Sequence, residues 1–183
     1  MIYLVSAPTR VGSHYLMAII GSTGEIADKT HDPRREVDYK NICLIILNRR
    51  NRFRAIMSAL VTYQTKQYNN YVPMDIESFT VGQEEFLLEY KFNKFYEQKH
   101  DLSLPWKRIE YLYFEDFLNY PDHVFEKLNI TRKNEIIWPQ KSPFRYQDLV
   151  TNVDECREFY QHFEDTVGRF MTQEEKLWPT QIK

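Results

Sequence analysis

The chain has 183 residues, 43% of them hydrophobic and 27% charged, a size and balance expected of one domain spanning residues 1–183 that buries roughly 70% of its unfolded surface. That composition excludes long disorder, collagen-like repeats and low-complexity tracts, and a formal net charge of −2 predicts affinity for neither nucleic acid nor a membrane surface. The longest apolar run, Ile42 to Leu47, is far shorter than the roughly 20 residues a bilayer requires. The segment from Met1 to Val5 has no basic flank, so neither a membrane span nor a signal peptide is expected. Cys43 and Cys156 form neither a disulfide framework nor a zinc-ligand spacing, which fits a reducing, cytoplasmic setting. The charge is unevenly spread: residues 1–60 hold 9 Lys and Arg against 5 Asp and Glu, and the remainder is net acidic.

Ile2 to Ala7 reads as a short buried strand ending at a turn signal, Pro8-Thr9-Arg10-Val11-Gly12. A mostly buried helix follows from Ser13 and stops at Gly21-Ser22-Thr23-Gly24. Residues 25–31 read ambiguously, with one short strand as an option, and residues 32–40 as a polar loop. Asn41 to Leu47, apolar after its first residue, has the pattern of a central parallel strand covered on both faces. The helix after it, about Asn51 to Gln67, places Phe53, Ile56, Met57, Leu60 and Val61 on one face. Thr80-x-x-Gln83 reads as a capping box for a helix over about Val81 to Lys99, with Leu88, Phe92, Phe95 and Lys99 on its stripe. Arg108 to Phe114 reads as a strand, Glu115 to Leu128 as helix broken at Pro121, and Asn152-x-x-Glu155 as a capping box opening a helix toward Phe170. Alternating strands and helices imply an α/β fold with a doubly wound parallel sheet, whose ligands sit at the carboxyl ends of its strands.

Three segments carry candidate chemistry. The loop Pro8 to Tyr15 joins a buried strand to a helix start, where backbone N–H groups and the helix dipole favour a phosphate-like anion and Gly12 permits close approach. An ordinary strand-to-helix turn with Ser13 as N-cap explains it equally well. Asn48 to Arg54 holds four arginines at another helix start, where like charges crowd and oppose the dipole. An anion relieves both costs, and a solvated basic face is the alternative. In Lys29-Thr30-His31-Asp32-Pro33, His31 is a candidate general base, since a histidine near its unperturbed pKa can accept a proton from a hydroxyl, although a lone loop histidine is more often inert. No Gly-Lys pair occurs, so the Walker pattern of ATPases and GTPases is absent.

Taken in order, these segments resemble the sulfotransferases that use 3′-phosphoadenosine 5′-phosphosulfate (PAPS). Thr9-Arg10-Val11-Gly12-Ser13-His14 is similar to that family's 5′-phosphosulfate loop, P-[KR]-[ST]-G-[TS]-T, matching at Arg10, Gly12 and Ser13 and departing at Val11 and His14. Lys29 to Pro33 matches four of five positions of K-T-H-L-P. The stretch from Arg50 to Ser58 resembles R-[ND]-P-x-D-x-x-x-S, keeping Arg50, Asn51 and Ser58. Tyr113 to Leu118 is similar to the family's Y-E-D-L junction with one residue inserted, and Lys141 through Asn152-Val153-Asp154-Glu155 to its late K…N-[WY]-[DE]-E segment. The core motifs thus fall in residues 2–60, with the second part of the core in 107–170.

The resemblance implies a P-loop-like fold and transfer of a sulfuryl group from PAPS, as co-substrate and without a metal, to a hydroxyl or amine. The acceptor would be a small molecule, a carbohydrate or a lipid-linked compound. It implies His31 as general base, Arg10 and Lys29 at the transferring group, and a cofactor cradle of Arg10, Val11, Gly12, Ser13 and His14 with Arg50 and Ser58 on the 3′-phosphate. Arg49 is an auxiliary cation in this alignment, and a one-residue shift exchanges it with Arg50. Arg10 and His31 are only 21 residues apart, which leaves little room for acceptor-binding elements, and Val167-Gly168-Arg169-Phe170 does not reproduce the family's carboxyl-terminal R-K-G-x-x-G-D-W. The alternatives are a nucleotide-binding P-loop small-molecule kinase and a catalytically silent module on the same fold.

Overall fold

The computed structural model describes residues 1–8, 10–30, 38–66, 75–98, 102–140 and 144–166. Its centre is a four-stranded, all-parallel sheet in the order β2-β1-β3-β4, formed by β1 (Ile2–Ser6), β2 (Ile26–Thr30), β3 (Ile42–Asn48) and β4 (Arg108–Tyr113). Of the residues read ambiguously at 25–31, Ile26–Thr30 thus form an edge strand, paired with β1 in the register Val5 to Lys29. Helices α1 (Ser13–Gly21), α2 (Arg52–Thr65), α3 (Gln83–Gln98), α4 (Phe114–Phe117), α5 (Asp122–Leu128), α6 (Tyr146–Leu149) and α7 (Val153–Asp165) flank it.

The alternation of each strand divides the core. Tyr3, Val5, Cys43, Ile45, Leu47 and Leu112 meet Leu16, Ile19 and Ile20 of α1 and Val124, Phe125 and Leu128 of α5. The opposite parity, Leu4, Ile42, Leu44 and Ile46, packs with Trp106 and Ile109. Both parities of β3 are therefore buried, as its unbroken apolar run requires. A further cluster joins α2, α3 and α7 through Ile56, Leu60, Phe86, Tyr90 and Phe163. Arg108 ties β4 to α5 by donating to the carbonyls of Lys127 and Leu128, orphan acceptors at a helix end. Among the described residues no helix is long and apolar enough to cross a membrane.

Helix α2 begins one residue after the predicted start, because Asn51 is its N-cap and the Asn51 side chain accepts from Arg54 N at 2.9 Å; it closes at Lys66 in a left-handed conformation. Helix α3 differs from expectation. It starts at Gln83, not Val81, and Thr80 does not cap it; Thr80 Oγ1 pairs with Thr151 Oγ1 at 2.9 Å. The cause is tertiary pairing: Phe79 N donates to Leu149 O, Thr151 N to Phe79 O, and Val81 N to Asn152 Oδ1. Asn152 is consequently spent on residue 81 and, although it is the N-cap of α7, its side chain makes no cap bond; Nδ2 reaches the Glu155 side chain instead, so the second capping box does not form either. The apolar stripe of α3 is also corrected, since Leu88 is 68% exposed while Phe86 and Tyr90 are buried. Glu89 and Asn93 share that buried row and hydrogen-bond each other at 2.8 Å, which conceals the row from a hydropathy pattern. Lys99 and the Phe95 side chain lie outside the described residues.

Candidate anion-binding site

The chain passes from β1 to β2 on one side and returns to place β3 on the other, so its progression reverses between β1 and β3. In open parallel sheets ligands bind at the carboxyl ends of the strands at such a reversal. The segments leaving β1 and β3 there are the two basic motifs singled out from the sequence.

After β1, Arg10 adopts φ 60° and Gly12 φ 88°, and Gly12, not Ser13, is the N-cap of α1. Its carbonyl accepts from Leu16 N at 3.1 Å, and no cap side chain accepts from the first-turn N–H groups. Ser13 is buried as the first helical residue, and Val11 is buried in the core, so its contribution to any ligand is confined to its backbone. Glycine is dictated twice over at position 12, by its left-handed φ and by the ring of Phe114 against its Cα.

Lys29, on β2, reaches across to α1 and places Nζ 2.9 Å from His14 Nε2. Its pKa lies below the ordinary lysine value because burial penalises the ammonium and the Arg10 charge adds repulsion. Arg10, Lys29 and His14 thus gather at one end of β1 and β2. His31, two residues beyond Lys29, lies outside the described residues, as does Thr9.

After β3, the two adjacent arginines behave differently. Arg49 turns inward: its side chain is 12% exposed, Nη1 donates to Arg10 O at 3.2 Å, and the guanidinium lies over the Phe114 ring at 5.1 Å. Its Nε is buried and, among the described residues, has no hydrogen-bond acceptor; Glu115 Oε1 stands 3.7 Å away. Desolvation and the charges of Arg54 and Arg10 lower its pKa against the opposing pull of Glu115. Arg50 turns outward, forks onto both Asp116 carboxylate oxygens and stacks on Tyr113 at 4.5 Å. That fork raises the pKa of Arg50 and depresses that of Asp116. Ser58 is half-buried in the second turn of α2, whose first turn carries no acidic residue.

Four consecutive residues at the end of β4 therefore hold both motifs. Tyr113 stacks on Arg50, Phe114 contacts Gly12 and underlies Arg49, Glu115 accepts from the backbone N–H groups of Arg50 and Asn51 at 3.0 and 3.2 Å, and Asp116 pairs with Arg50. Sequence reasoning placed residues 113–118 at a strand-to-helix junction without a role. Their signal was positional, because β4 neighbours β3 and its carboxyl end must face the same crevice. Arg10 stands close enough to Lys29 and to Arg49 to repel both, beside the amino terminus of α1. No family model, curated protein or solved structure matches the chain.

Proposed function

We propose that this chain is a PAPS-dependent sulfotransferase with a P-loop-like, doubly wound sheet. The observation that carries the reading is the convergence of Arg10, Lys29 and Arg49 on the amino terminus of α1. The like charges there raise each other's electrostatic energy, and an anion of high charge density offsets that repulsion. Arg10 and the backbone N–H groups from Val11 to His14 take the 5′-phosphosulfate. Arg50 and Ser58 take the 3′-phosphate, which exchanges with the Asp116 carboxylate on the Arg50 fork.

In the reaction the acceptor oxygen or nitrogen forms a bond to sulfur as the bond from sulfur to the bridging 5′-phosphate oxygen breaks. The electron pair leaves on 3′-phosphoadenosine 5′-phosphate (PAP), and the acceptor proton passes to His31. Arg10 and Lys29 stabilise the charge that grows on the bridging oxygen, the interaction that matters most in such in-line transfers.

Transfer from radiolabelled PAPS to a panel of hydroxyl and amine acceptors tests the reading. His31→Ala is expected to slow transfer by about 10²- to 10⁴-fold. An unchanged rate rejects His31 as base, and tight PAP binding with no transfer to any acceptor marks a catalytically silent member.

A further inference from the structure

The His14 side chain is the part of the loop that the PAPS reading leaves without work, since that reading uses only its backbone N–H. The side chain belongs to the second residue of α1, and its Nε2 lies 2.9 Å from Lys29 Nζ. An ammonium has three donors and no acceptor, so a charged Lys29 makes His14 Nε2 the acceptor in this contact and puts the ring proton on Nδ1.

The pairing also links two elements, the edge strand that carries Lys29 and helix α1. Lys29 sits on the edge strand β2, and a lysine stem has four rotatable bonds and loses considerable entropy when fixed. Burial and the nearby Arg10 charge both disfavour the ammonium where it stands. A fixed acceptor on α1 opposes both effects and directs the ammonium to the helix amino terminus.

We propose that His14 is a positioning residue that holds the Lys29 ammonium over the anion at the start of α1 by accepting a hydrogen bond at Nε2. The consequence for function rests on the PAPS reading; the pairing itself does not.

Two measurements test it. The first is a long-range proton–nitrogen NMR spectrum of the intact wild-type protein and of Lys29→Met. The expected result is a His14 ring protonated on Nδ1, with an acceptor Nε2 whose resonance moves when Lys29 is removed. A His14 protonated on Nε2, or a spectrum indifferent to Lys29→Met, overturns the proposal. The second is a double-mutant cycle read as PAP affinity by calorimetry, with inorganic pyrophosphate as a parallel probe. His14→Leu is expected to weaken binding roughly tenfold, the scale of one charge-assisted hydrogen bond. His14→Gln, whose carbonyl accepts in place of Nε2, restores most of it, and His14→Leu costs nothing further once Lys29 is Met. A loss that His14→Gln does not rescue, or that persists in Lys29→Met, overturns it. Equal binding of PAP and AMP by the wild type rejects the cofactor reading alone, leaving the pair to be decided by the spectrum and the pyrophosphate cycle.

Discussion

A Cβ atom built on Gly12 would lie 2.1 Å from Cδ2 of Phe114, with two further ring atoms inside 3 Å. The end of β4 is thus seated on the turn that opens α1, and the anion loop is shaped by a residue more than 100 positions away. Gly12→Ala is expected to destabilise the protein by about 2–4 kcal/mol, from the clash and the positive φ together. In a Phe114→Ala background the same substitution should cost only about 1 kcal/mol, the share due to φ. Urea unfolding of the four proteins checks this. An equal cost of Gly12→Ala in both backgrounds contradicts the contact.

Arg50 and Asp116 give a pH dependence of known sign. The guanidinium fork holds the Asp116 carboxyl below the ordinary aspartate range. A depressed folded-state pKa contributes stability that is complete above the unfolded value, near pH 4, and is lost as pH falls through the folded value. The pair is exposed, so the contribution is small. The urea-midpoint difference between wild type and Asp116→Asn should therefore be present at pH 7 and vanish in strong acid. If Asp116 also competes with a 3′-phosphate, Asp116→Asn binds PAP more tightly than wild type; weaker binding shows that the carboxylate serves the site by orienting Arg50.

Both cysteines are buried, and burial pushes each thiol up to about 11. Thiolate at neutral pH is then scarce, and access requires unfolding. Ellman's reagent should leave Cys43 and Cys156 unmodified in the native protein and modify both in urea. Fast native labelling of either one contradicts the packing around it.

Much of the sheet was legible because its signals are local. The apolar run of β3 and the terminators after α1 each act within a few residues. The phase of α3 was not legible, since Glu89 and Asn93 satisfy each other on its buried row, and Thr80 was misread because residues 79–81 pair with residues 149–152. In the site, the arginines of 48–54 were visible as a charge cluster, the 8–15 loop as a strand-to-helix turn and the 29–33 segment by its histidine. Their partners were not: the His14–Lys29 contact depends on the β1–β2 register, and the grip of Phe114 and Glu115 depends on β4 lying beside β3. The exchange of roles between the two arginines was legible as an ambiguity, and the structure separates them into an inward Arg49 and an outward Arg50.

The central claim is that two anion subsites serve the two ends of one nucleotide, and thermal unfolding with PAP, AMP and ATP at equal concentration tests it most directly. At roughly 100 times its Kd, PAP should raise the Tm by about 5–10 °C. AMP and ATP should give much smaller shifts, and Arg50→Ala should remove the advantage of PAP. Equal shifts with all three nucleotides, or a shift given only by ATP with magnesium, would contradict the account.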